Sequence, residues 1–188
     1  TGLVREPIST MNVSDAALFR TLDKNEPTLL FDEVDAVFGK KARDREDLRS
    51  MLNAGYRRGT VVLRMGGGNY TTLEKFRVFG PKALAGVEGL PPTLTSRCVR
   101  IQLKRRRPDV EPVEDFYPED VAEETERLRA ELERWATDEV ERLKASTPIR
   151  VQGLRDRTNE VWRPLFAIAE QAGEAWRARA ERSALALV

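Results

Sequence analysis

The chain has 188 residues, charged side chains make up 34% of it, and the net charge is only +1, so charge balance alone implies no polyanion partner. Histidine is absent, which rules out Ser-His-Asp and Cys-His nucleophile pairs, the HExxH zinc helix and Cys/His fingers. The single cysteine, Cys98, excludes an internal disulfide, suits a reducing, cytoplasmic compartment, and stands in a chain with no apolar run long enough to span a membrane.

In chain order, "NVSDAALFRTLDKN" predicts a helix. Ser14 is its N-cap, Val13 and Leu18 have staple spacing, and Leu18, Phe19 and Leu22 form one apolar face. Pro27 ends it, and Thr28 to Phe31 follow as a short apolar strand of the kind found in parallel sheets. "DREDLRSMLNAGYRRG" predicts a second helix with Leu48, Met51, Leu52 and Tyr56 on one face and Gly59 as its stop. "TVVLR" and "EKFRVFG" predict a hairpin around "MGGGNYTT", and "KALAGV" and "CVRIQL" predict two further short strands.

After Arg107 the composition changes. "RRRPDVEPVEDFYPED" reads as a linker, and a charged helix follows from Val121 to Ala145 with a narrow stripe of Val121, Leu128, Leu132, Trp135, Val140 and Leu143. "NEVWRPLFAIAEQAG" and "EAWRARAERSALALV" predict two more amphipathic helices, with Pro164 early in the first. The order implies an α/β core over residues 1–108, with an inserted β-hairpin, and an α-helical lid or bundle over 109–188.

The chemistry concentrates in "TLLFDEVD". An apolar strand that ends on Asp32 and Glu33 places two carboxylates at the carboxyl edge of a sheet, where ligands collect. In a nucleotide hydrolase the Asp orients a water of the Mg²⁺ shell and the Glu polarises the attacking water, and Asp35 stands close enough to contribute. Read alone, the same residues also describe a strand that leaves into a solvated acidic turn.

"LPPTLTSRCVRIQL" resembles the "LP…SRC" stretch of clamp-loader subunits within the AAA+ ATPases. Together with "NVSDAALFR", "TLLFDEVD", "LRSMLNAGYRRGTVVLR" and "LRDRTNEVWRPLFAIAEQAGEAW", it makes the chain similar to domain-of-unknown-function family 3631, the P-loop ATPase-like part of primase/helicase-type proteins of phages, plasmids and other mobile elements. The resemblance implies a partial P-loop/AAA+-like parallel sheet, with ATP and Mg²⁺ bound between subunits of a homo-oligomer. It places Asp32 and Glu33 on the Walker B carboxylates, Asp32 toward the metal and Glu33 as the catalytic base. It makes Arg97 a finger on a partner's γ-phosphate, and Arg155 and Arg157 nucleotide-sensing lid arginines. Glu88 is the only residue at the place of the polar sensor, a role that stays unassigned.

One departure stands out. No G-x-x-x-x-G-K-[ST] occurs in these residues. "MGGGNY" lacks the Lys-Ser/Thr, and "GKK" at Gly39 lacks the first glycine and the hydroxyl. The chain is therefore expected to be a C-terminal fragment or a short form without the loop, and to bind ATP poorly alone. The alternatives are a non-catalytic DNA-binding or assembly module, and a regulator that lends Arg97 to a partner.

Single-stranded DNA is the second expected partner. The basic groups are "YRRG", "KRRRP" and the hairpin, where Arg64, Lys75 and Arg77 would meet phosphates and Tyr70 would stack on a base. A solvated loop with counter-charged neighbours would carry the same residues.

Overall fold

The computed structural model describes residues 2–10, 14–38, 46–66, 71–87, 89–105, 107 and 114–187. Contacts divide the chain into two compact units, one of Leu3–Arg97 and one from Cys98 onward. The first is mixed α/β and the second is helical. Among the described residues no helix is long and apolar enough to cross a membrane.

In the first unit, β1 (Pro7–Thr10), β2 (Thr28–Phe31) and β5 (Lys82–Leu84) form a parallel sheet in the order β1-β2-β5. Ile8 stands opposite Leu29, and Leu30 opposite Ala83. β2 is central, as its run of apolar residues demands, and Leu29 and Phe31 bury one face completely while Thr28 and Leu30 are half-covered on the other. β1 was not expected from its sequence, because "PIST" opens on proline and holds one large apolar residue. An edge strand tolerates proline at its first position, where the missing N–H costs no ladder bond.

α1 (Asp15–Asn25) starts at Ser14, whose Oγ accepts the Ala17 N–H at 3.4 Å, and packs Leu18, Phe19 and Leu22 into the core. The staple partner Val13 lies outside the described residues. β3 (Val61–Gly66) and β4 (Thr72–Arg77) form the expected antiparallel hairpin, with Val62 opposite Phe76. The Phe76 ring meets Phe19 at 5.6 Å, so the hairpin's inner face closes over α1. Short helices α2 (Asp35–Phe38) and α4 (Pro92–Thr95) complete the unit beside α3 (Glu46–Ala54).

α3 ends at Ala54 rather than running to Gly59. The turn there is set by distant chemistry: Lys82 Nζ donates to the carbonyls of Gly55, Val78 and Gly80 at 3.0, 3.0 and 2.9 Å. A Cβ on Gly55 would fall 2.4 Å from the Val78 oxygen, so only glycine fits. Tyr56 therefore leaves the helix face on which its spacing had placed it.

In the second unit, α5 is Ala122–Ala145, α6 is Asp156–Gln171 and α7 is Glu174–Ala186. Trp162 stacks on Phe166 at 5.7 Å, and both pack with Ala184, Val99, Val151, Leu154 and Ala180. Asn159 fastens the preceding loop: its Oδ1 accepts the Val151 N–H at 2.8 Å, and its Nδ2 donates to the carbonyls of Val151 and Leu154. α6 thus begins before Asn159, and Pro164 lies in mid-helix rather than in the first turn, where it withholds one N–H from the ladder. α5 buries none of its residues, and Leu132, Trp135 and Val140 are exposed. Surface pairs such as Arg127–Glu131 and Lys144–Glu141 support it at a few tenths of a kcal/mol each.

The expected strand "CVRIQL" is irregular in the structure. Its alternating pattern is real, but a strand needs a neighbouring edge to take up its amides and carbonyls. Ile101 and Leu103 are 72% and 86% exposed.

Candidate functional site

β2 delivers its chain end to the carboxyl edge of the parallel sheet, and Asp32 and Glu33 follow directly, both exposed. Two backbone bonds fix this point. The Ala85 N–H donates to the Phe31 carbonyl, and the Val34 N–H donates to the Ala85 carbonyl, each at 2.9 Å. Between these clamps the chain makes room for two residues by turning Glu33 to φ +52°. A glutamate in the left-handed region carries strain of about 1–2 kcal/mol, a cost that Glu6 and the α1 C-cap Glu26 also carry at φ +42° and +46°. Asp32 stabilises the turn, since its Oδ1 accepts the Glu33 N–H at 2.8 Å. One accepted bond leaves a carboxylate with lone pairs for a metal-bound water.

Asp35 has a different task. Its Oδ2 accepts the Val87 N–H at 2.7 Å and ties the first turn of α2 to the chain beyond β5. A Cβ on Gly86 would lie 2.8 Å from Val34 Cγ1 and 2.9 Å from Asp35 Oδ2, so glycine alone allows this approach. Among the described residues, no three His, Cys, Asp or Glu side chains are grouped to hold a metal ion by themselves. The donor set does fit Mg²⁺, which takes one or two carboxylates and completes its shell with water and phosphate oxygens.

Arg97 closes the first unit just after α4. Its guanidinium carbon lies 5.2 Å from the centre of the Tyr56 ring, and Nη1 donates to the Thr93 carbonyl. Its Nε is buried with no hydrogen-bond partner.

The hairpin cations are mostly matched within the fold. Arg64 reaches Asp47 at 2.9 Å and lies over the Phe19 ring at 5.1 Å. Arg77 donates through Nε to Asp23 at 3.0 Å, through Nη2 to the Asp23 carbonyl at 2.6 Å, and through Nη1 to Glu26 at 3.5 Å. Lys75 is exposed on the outer face, opposite Leu63, beside the exposed Val61, Met65 and Leu73. Tyr70 and Glu88 lie outside the described residues. Arg155 and Arg157 belong to the second unit, at the N-cap and in the first turn of α6, both exposed. Cations there oppose the helix dipole, and Asp156 between them in the first turn offsets it.

The Arg77–Asp23 contact has a measurable signature. The Arg77 backbone N–H, and then its guanidinium, hold the Asp23 carboxyl below its ordinary value. A depressed carboxylate contributes stability above its unfolded pKa of about 3.9 and loses it as pH falls through the lower, folded value. Asp23→Asn should therefore have a lower urea midpoint than the parent at pH 7, and the gap should be smaller in acid, once the pH has fallen through the lowered folded value of Asp23. A gap of equal size at pH 7 and in acid would contradict the assignment. The contact is partly solvated, so the gap is small.

Sequence reasoning missed three of these features: the Tyr56 contact of Arg97, the Asp23 and Glu26 partners of Arg77, and the Lys82 clamp. Each joins residues far apart in the chain, and no local pattern announces it.

No curated protein and no solved structure matches the chain. Residues 102–188 match a protein family described as "Protein of unknown function (DUF3631)". The matched stretch lies wholly within the second unit and spans α5, α6 and α7; Asp32, Glu33 and Arg97 lie outside it.

Proposed function

We propose that the chain is the catalytic-strand and lid portion of a P-loop/AAA+-type ATPase that acts on DNA in the replication of a mobile element. The observation that carries this reading is the exposed Asp32–Glu33 pair at the carboxyl end of the central parallel strand, held there at the expense of a left-handed glutamate. Asp32 orients water around the metal, and Glu33 accepts the proton of the water that attacks the terminal phosphate. Mg²⁺, when bound, neutralises charge on the phosphate oxygens. Arg97 supplies a permanent positive charge to the site of a neighbouring subunit.

This reading needs a phosphate cradle, and "MGGGNY" is not one. Among the described residues the outer edge of β5 pairs with no strand, so the sheet accepts a further parallel strand there carrying a phosphate loop. Joined to a P-loop-bearing segment, the chain should release phosphate from ATP in a Mg²⁺-dependent manner; the 188 residues alone should not. Absence of turnover in the joined protein overturns the proposal, and steady turnover by the chain alone places the phosphate site elsewhere.

For DNA, the exposed Lys75 is the hairpin cation to test, because Arg64 and Arg77 are engaged with carboxylates. Lys75→Ala should lower the slope of log K against log salt for single-stranded DNA by about 0.7. An unchanged slope removes the hairpin from the interface.

A further inference from the structure

We propose that Tyr56 is a positioning residue for Arg97, a seat that keeps the guanidinium folded onto its own subunit until a polyphosphate anion competes for it. The inference rests on the finger role given to Arg97 above, and adds to it a resting state and the residue that maintains it.

The geometry has three parts. The Arg97 guanidinium lies over the Tyr56 ring at 5.2 Å, within the range where the ring's negative face attracts a cation. Nη1 is turned back onto the Thr93 carbonyl of α4, so the side chain curls over its own helix. Nε is buried and donates to nothing, as is also true of Arg64 Nε, so what sets Arg97 apart is that, among the described residues, no carboxylate meets its guanidinium in an ion pair as Asp47 meets that of Arg64. A guanidinium has five N–H donors in a planar fork, and this seat leaves the fork incompletely satisfied. An arginine held only for structure usually finds a carboxylate, as Arg64 and Arg77 do in the same unit. Arg97 is instead held by a ring and one carbonyl, contacts weak enough for a phosphate to replace.

Tyr56 reaches this place because α3 ends early. The Lys82 clamp on the Gly55 carbonyl turns the chain out of the helix, and Tyr56 leaves the core-facing stripe. Its ring is half-buried, with Arg57 also near it at 5.7 Å. The seat thus couples the turn after α3 to the arginine that closes the unit.

The test uses the chain as it stands, without nucleotide. Phenylglyoxal modifies accessible guanidinium groups, and peptide mapping reads each arginine separately. Arg97 should react about two- to five-fold faster in Tyr56→Leu than in the parent, the factor expected from loss of an exposed cation–π contact. Tyr56→Phe keeps the ring and should restore the parental rate. Sodium tripolyphosphate should protect Arg97 more strongly in Tyr56→Leu than in the parent. Arg77, locked by Asp23 and Glu26, is the folding control, and its rate should be equal in all variants. If Arg77 accelerates in Tyr56→Leu, the decision passes to Tyr56→Met, which fills the site without an aromatic ring. Equal Arg97 rates in the parent and the ring-less variant overturn the proposal. So does a Tyr56→Phe rate that matches the ring-less one, or equal protection by tripolyphosphate. ATP hydrolysis enters none of these readouts, so failure of the ATPase reading and failure of the seat are seen separately.

Discussion

In the assembled, P-loop-bearing protein, Arg97→Ala should lower ATP turnover by about 10³–10⁵, the range found when a finger arginine is removed from phosphoryl-transfer sites. The loss arises because a guanidinium at the terminal phosphate matches the charge that builds up in the transition state, and is already oriented there where water would have to reorganise. A finger acts in trans, so the damage falls on a neighbour's site. Mixing Arg97→Ala subunits with Glu33→Gln subunits creates interfaces that hold one intact Glu33 and one intact Arg97, and part of the activity should return. Silence of the mixture, with mixed oligomers shown to form, would mean that Arg97 works only on Tyr56 and Thr93 within its own unit. Arg97→Lys separates charge from shape: a lysine keeps the cation but not the planar fork, and should recover little.

Glu33→Gln should bind ATP normally and hydrolyse it about 10²–10⁴-fold more slowly, as expected when a positioned base is lost. The amide keeps the volume and the backbone turn of the glutamate but cannot accept the proton of the attacking water. The φ of +52° at Glu33 adds a second, independent readout. Glu33→Gly removes the side chain from the left-handed region, relieving about 1–2 kcal/mol of backbone strain against a cost of about 0.5–1 kcal/mol for the freer unfolded chain. The net result is a variant as stable as the parent, or more stable by up to about 1.5 kcal/mol, yet inactive. Such a pairing of retained stability with lost turnover marks a residue kept for chemistry. A Glu33→Gly protein that is both markedly less stable and fully active would place Glu33 among ordinary turn residues.

Much of the architecture was written locally. Leu18, Phe19 and Leu22 repeat with helical period behind a serine cap, and they form α1. Four residues of unbroken apolar or β-branched character after Pro27 read as a covered strand, and β2 is the centre of its sheet. The alternation in β3 and β4 gave the hairpin, and Asp32 and Glu33 stand where a strand so read must end. These features follow from backbone periods and from the cost of exposing apolar surface, which act over a few neighbouring residues.

Other features depended on partners that local sequence does not name. "PIST" becomes β1 because β2 offers it an edge, whereas "CVRIQL", the better strand by pattern, meets no edge and stays irregular. Tyr56 fits the helical stripe of α3 by spacing, yet Lys82 draws the Gly55 carbonyl out of the helix and the tyrosine goes to Arg97. Arg64 and Arg77 look like free cations on a hairpin until Asp47, Asp23 and Glu26 are brought to them. Local sequence was enough for α1, the central strand β2, the β3–β4 hairpin and the carboxylate pair, since each is settled by contacts between near neighbours. Only the tertiary structure decided which charges are neutralised, which strand finds an edge and which ring receives Arg97, because those outcomes are set by groups that the fold brings together across tens of residues.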